Sequence, residues 1–109
     1  MLNYIVLFGN IKEEPKLTKD KNGEEIVNLE VNIPKRDNEE EFDLVIVKLT
    51  KGIAERTLED LHKGDKVGIK GIVKANENKE MEIIAERLTY FSSSKMNENN
   101  ENETGILER

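Results

Sequence analysis

Two hydrophobic patterns divide the first third of the chain. Leu2 to Ile11 is apolar at nearly every position, which predicts a strand buried on both faces or curled so that it serves two sheets. Ile26 to Ile33 alternates instead, with Val27, Leu29, Val31 and Ile33 on one face and Asn28, Glu30 and Asn32 on the other. That is the mark of a half-buried strand. Between the two, residues 18 to 25 are polar and carry Asn22-Gly23, a dipeptide that accepts positive φ in a hairpin turn. Pro34 ends the second strand because it offers no ladder donor. After an acidic stretch, Leu44 to Leu49 is rich in β-branched residues and reads as a third strand.

The period then changes. Ile53, Ala54, Thr57, Leu58 and Leu61 share one face of a short helix. Thr50 is placed to cap its start, and Gly64, after His62 and Lys63, suits a left-handed residue beyond its end. Val67, Ile69 and Val73 alternate with Gly68, Lys70, Ile72 and Lys74, and Met81, Ile83 and Ala85 with Glu82, Ile84 and Glu86. If Val73 and Ile83 both look inward, Lys74 stands opposite Glu82, Ile72 opposite Ile84 and Lys70 opposite Glu86, around a Glu77-Asn78-Lys79 loop.

Three strands, a helix and a final hairpin describe an all-β fold with one short helix: a five-stranded Greek-key oligonucleotide-binding barrel spanning residues 1–91. An antiparallel sandwich with an accessory helix is the structural alternative. From Ser92 the composition turns to serine, asparagine and glutamate, with almost nothing to bury, so residues 92–109 are expected to be a disordered polar tail.

Composition narrows the chemistry. The 109 residues suffice for one domain with a small core. With no cysteine and a single histidine, His62, thiolate catalysis, cysteine-ligated zinc and a histidine pair are excluded. No carboxylate sits beside a phosphate-cradling glycine loop, so no catalysis, cofactor or metal is expected. The longest apolar run near the start, Tyr4 to Phe8, is too short to span a membrane and lacks a basic flank. A cytoplasmic location is expected. The net charge of -6 argues at first against a nucleic-acid partner. Yet residues 95–109 hold two basic and four acidic side chains, and Asp37, Glu39, Glu40, Glu41 and Asp43 add five acids, so 15 basic and 14 acidic residues remain in the main body. Local lysine patches can therefore form on a nearly neutral barrel.

The opening Asn3-Tyr4-Ile5-Val6-Leu7-Phe8-Gly9-Asn10 with Pro15, then Asn22-Gly23, Gly52-Ile53-Ala54-Glu55, Leu61-His62-Lys63-Gly64-Asp65 and Val67-Gly68-Ile69-Lys70-Gly71 follow one another as in bacterial single-stranded DNA-binding proteins, which this sequence resembles from residue 3 to 91. The resemblance implies sequence-independent coating of single-stranded DNA in replication, recombination or repair. It also implies a homo-oligomer, a tetramer or dimer, with the apolar first strand as a contact surface, and it brings in replication or repair proteins as partners. In many family members the tail closes on acidic residues and a terminal phenylalanine; this one closes Gly105-Ile106-Leu107-Glu108-Arg109. Stacking aromatics of the family are replaced by Leu44, Thr50 and Asn78, so those roles do not carry over. Phe8 shares a face with Val6 and reads as core. The residues expected to meet DNA are Tyr4 and Phe42, by stacking, and Lys35, Arg36, Lys48 and Lys74, by phosphate contact. Two other readings stay open: a primosomal, protein-recruiting relative, favoured by the lost aromatics, and an interaction module that has kept the barrel and lost DNA, favoured by the acidic loop.

Overall fold

The computed structural model describes residues 2–92 and 103–108. Its strands are β1 (Ile5–Ile11), β2 (Leu17–Lys19), β3 (Glu25–Pro34), β4 (Phe42–Thr50), β5 (Lys66–Ala75), β6 (Met81–Ser92) and β7 (Glu103–Glu108), with helix α1 (Lys51–Asp60) between β4 and β5. The hydrogen-bonded order β1-β5-β6-β4-β3, closed by β1 on β3, makes a five-stranded barrel. Two short contacts complete the circle: Asn10↔Asn32 and Ile11↔Val31 between β1 and β3, and the parallel pairs Val47↔Ile83 and Lys48↔Ile84 between β4 and β6. Gly9 stands where β1 crosses β3, and a Cβ there would lie 2.2 Å from the Asn32 carbonyl oxygen. Only glycine permits that approach.

The alternating face of β3 is buried as its pattern predicts, and Val27, Leu29 and Val31 join Val47, Leu49, Val67, Ile69, Ala85 and Leu88 in the core. Ile53, Ala54 and Leu61 of the helical segment plug one end of it. Tyr90 is also buried and donates its hydroxyl to Asp60 Oδ2 at 3.3 Å.

β1 departs from expectation. Its inner set is Ile5, Leu7, Gly9 and Ile11, so Val6 and Phe8 face outward at 64% and 73% exposure. The Phe8 ring lies against Gly68 of the neighbouring strand rather than in the core. An apolar strand of a closed barrel still has only one inner face, and the apolar residues of the other face are left uncovered in the single chain.

The β5–β6 hairpin keeps the expected register at Lys74↔Glu82, Ile72↔Ile84 and Val73↔Ile83, then shifts between Lys70 and Gly71, so that Lys70 opposes Arg87 and not Glu86. The irregularity adds a residue to β6 where the barrel wall bends. Thr50 precedes α1, but its side chain accepts no cap bond from the helix amides. Lys51 enters the helix with φ 50, and Thr50 Oγ1 finds no partner among the described residues. Gly64 does take a positive φ, 91, but in the turn before β5, since the helix itself closes at Leu61 in extended conformation.

The tail expectation fails at its end. Residues 93–102 lie outside the described residues, but Glu103–Glu108 forms β7 antiparallel to β6, pairing Leu88↔Leu107 and Thr89↔Ile106. β4 covers β6 only near Ile83 and Ile84, so the stretch from Arg87 to Ser92 would otherwise be a free edge. Leu107, expected to lie in the disordered tail, is 3% exposed and belongs to the core.

Candidate nucleic-acid interface

Two hairpin tips of the same construction flank the outer face of β3 and β4. At the β2–β3 tip, Asp20 N–H donates to the Glu24 carbonyl, Asp20 Oδ1 accepts from the amides of Asn22 and Glu24, and Gly23 has φ 81. At the β5–β6 tip, Asn76 N–H donates to the Glu80 carbonyl, Asn76 Oδ1 accepts from Asn78 and Glu80, and Lys79 has φ 63. Each is a three-residue loop held by the side chain of the residue just before it, with its last residue left-handed. The tips are joined by an ion pair from Lys21 Nζ to Glu77 Oε2 at 2.6 Å.

Beneath them runs a groove of about 520 Å³, lined by Lys19, Asp20, Lys21, Ile26, Asn28, Ile46, Lys48, Asn76, Glu80, Met81, Glu82 and Ile83. Strand pairing sets Asn28 beside Lys48, Glu30 beside Ile46, Asn32 beside Leu44 and Pro34 beside Phe42 on the outer face. Its lower part is polar at β3 and apolar at β4. Lys48 Nζ stands 3.9 Å from Glu82 Oε2, a half-buried pair at the long limit of ion-pair distance and open to exchange with another anion.

The residues named from sequence are dispersed over this face and beyond it. Lys48 lines the groove itself, and Lys74 flanks it, opposite Glu82 on the hairpin. Phe42 sits at the far end of β4, 49% exposed. Lys35 and Arg36 follow β3 in the loop to β4, where Lys35 Nζ lies 3.6 Å from Glu41 and 3.8 Å from Asp43. Part of the acidic run thus serves to hold that lysine. Tyr4 precedes β1, 57% exposed, with the Lys70 ammonium 4.4 Å from its ring centroid. Sequence reasoning did not single out Ile46 and Met81. A strand apolar on both faces, as β4 is, gives no signal of which face looks out.

The opposite end of the barrel has a different chemistry. Ile11 N–H donates to the Asp65 carbonyl, Gly64 N–H to the Ile11 carbonyl and Asn10 Nδ2 to the Gly64 carbonyl. Buried Asp65 accepts the His62 amide at Oδ2, and Glu14 accepts the Lys63 amide at 3.0 Å and the His62 ring at 2.7 Å. The Lys63 amide and then the His62 ring hold the Glu14 carboxyl below its ordinary range. These groups bind one another across the turn, the end of β1 and the segment that follows it.

A closed five-stranded barrel with a capping helix, two hairpin tips over the face of its second and third long strands and a groove between them is an oligonucleotide-binding fold. Residues 2–96 match the model of the Single-strand binding protein family, and the chain belongs to that family. Among curated proteins no relative matches. Among solved structures it resembles a deletion mutant of the single-stranded DNA binding protein from Thermus aquaticus, at 30% identity and TM-score 0.63 over 80% of this chain and 40% of that one. The second such protein of Mycobacterium smegmatis matches at 23% identity and TM-score 0.63, covering 81% and 87% of the two chains. The dimeric N-terminal domain of PriB from Thermoanaerobacter tencongensis matches at 18% identity and TM-score 0.64, over 84% and 98%. The last two likenesses concern the fold. The chain spans about two fifths of the Thermus protein's length. The family and its fold are those of binding proteins rather than enzymes, and among the described residues no helix is long and apolar enough to cross a membrane.

Proposed function

We propose that this chain binds single-stranded DNA without sequence preference, along the outer face of β3 and β4 and through the groove between the two hairpin tips. The observation that carries this reading is the groove's position: it lies where oligonucleotide-binding barrels take their ligands, in a chain that belongs to the Single-strand binding protein family. Lys48, Lys74, Lys35 and Arg36 supply phosphate contacts, Phe42 stacks on a base at the start of β4, and Tyr4 offers a second ring just before β1. The protein coats exposed strands during replication, recombination or repair in the cytoplasm, uses no cofactor and catalyses nothing. It works as a homo-oligomer, dimer or tetramer. Uncovered Val6 and Phe8 on β1 support an interface there, as does the dimeric state given for the PriB relative. Replication or repair proteins are its further partners. Residues 93–102 link the barrel to β7.

Titration of fluorescent oligo-dT, and of duplex of equal length, tests the reading. Oligo-dT should bind more tightly, with affinity falling as salt rises. Equal preference for duplex would refute it.

A further inference from the structure

Beside the groove lies a second cavity of about 510 Å³ whose lining includes Ile5, Leu44, Ile46, Val73, Met81 and Ile83. Three of these, Ile46, Met81 and Ile83, also line the groove, so the two form one continuous surface. Large apolar side chains stand open on it: Leu44 is 46% exposed, Ile46 54% and Met81 72%. The groove's charges, in contrast, cancel. Lys19, Lys21 and Lys48 are matched there by Asp20, Glu80 and Glu82, and Lys21 and Lys48 already hold Glu77 and Glu82. A phosphate reaching Lys48 exchanges with the Glu82 carboxylate, so charge alone does not single out the groove's floor as a binding surface. A base face entering the slot displaces only water from apolar surface.

We infer that Ile46 and Met81, with Leu44 beside them, form an aliphatic platform on which bases of the bound strand lie, in a chain with no tryptophan and three phenylalanines. The inference rests on the single-strand-binding reading and assigns the base contacts within it. Single strands fit this surface, because its apolar floor is flanked by lysines that can take the phosphates on either side of a base: Lys48 two residues from Ile46 on the same face of β4, and Lys74 on the strand paired with Met81. Methionine and isoleucine impose no hydrogen-bond pattern, so the platform accepts any base.

The test compares oligo-dT with an oligomer of the same length in which every base is replaced by an abasic sugar. Both carry the same phosphates. The full-length protein should bind oligo-dT about tenfold or more tightly than the abasic chain, as one or two apolar base contacts require. The double variant Ile46→Thr, Met81→Gln changes two exposed side chains, and should keep its melting temperature and oligomeric state. It should lose most of that preference while its affinity for the abasic chain stays the same. Equal affinity of the native protein for both oligomers would overturn the platform while leaving strand binding in place. Unchanged discrimination in the double variant would overturn it as well. If the variant alters the oligomeric state instead, the slot is a protein interface. Failure to bind oligo-dT at all would remove the underlying reading together with the platform.

Discussion

At the helix end of the barrel, the turn from His62 to Asp65, the end of β1 and the Glu14 carboxylate exchange hydrogen bonds with one another, and Ile53, Ala54 and Leu61 fill the space behind them. Across the hairpin tips and the groove face that runs on to Phe42, the same chain leaves Ile46, Met81 and Phe42 open and holds Lys21 and Lys48 in one exposed and one half-buried ion pair. One end has satisfied its groups internally and the other has kept them available. Stability and binding are therefore carried by different residues, and substitutions should separate them cleanly.

The largest effect should come from the helix end. Ile53→Ala removes a fully buried side chain and should cost about 2–5 kcal/mol of stability, read by denaturant unfolding, while the folded fraction binds oligo-dT as before. A loss of affinity per folded molecule would break the separation. Phe42→Ala tests it from the other side. Oligo-dT binding should weaken by about 1–3 kcal/mol with the melting temperature nearly unchanged; a large loss of stability would show that the ring packs rather than stacks.

A smaller effect is expected from the loop between β3 and β4. Replacing Glu39, Glu40 and Glu41 with glutamine relieves repulsion of phosphate and frees Lys35 from one of its two carboxylates. Affinity for oligo-dT at low salt should rise a few-fold, less so at high salt. Unaltered affinity would place the loop away from the strand. The smallest effect belongs to Glu14. Its carboxyl is held low by the Lys63 amide and the His62 ring, so its contribution is present above the unfolded carboxyl's range and is lost as pH falls through the lower folded value. Glu14→Gln should flatten the acid limb of the stability profile below about pH 4.5 and leave DNA binding at neutral pH untouched.

Local chemistry explains what the sequence revealed. Asn22-Gly23 and the polar Asn76 to Lys79 stretch are turns because their side chains and φ preferences act within a few residues, and β3 betrays its inner face because its other face is polar. β1 and β4 have apolar residues on both sides, so nothing local distinguishes the wall of the core from an open surface. For that reason Phe8 reads as core from sequence, and nothing marks Ile46 as open. The shift after Gly71 comes from barrel curvature, a property of all the strands together. β7 was hidden because one buried leucine in a polar segment is too weak a pattern; what makes it a strand is the uncovered edge of β6. The lysines are visible in the sequence, and so is Glu82 opposite Lys74; that the same carboxylate also meets Lys48, and Glu77 meets Lys21, depends on strands far apart in the chain.

Backbone amide shifts of the isotopically labelled protein, followed by NMR while oligo-dT is added, test the division between the two ends most directly. The account predicts that perturbed amides cluster on β4 from Phe42 to Lys48, on the outward residues of β3 and at the tips around Asp20 to Glu24 and Asn76 to Met81, with His62 to Asp65 silent. Perturbations concentrated at the His62 to Asp65 turn, or along the outer face of β1 and β7, would contradict it.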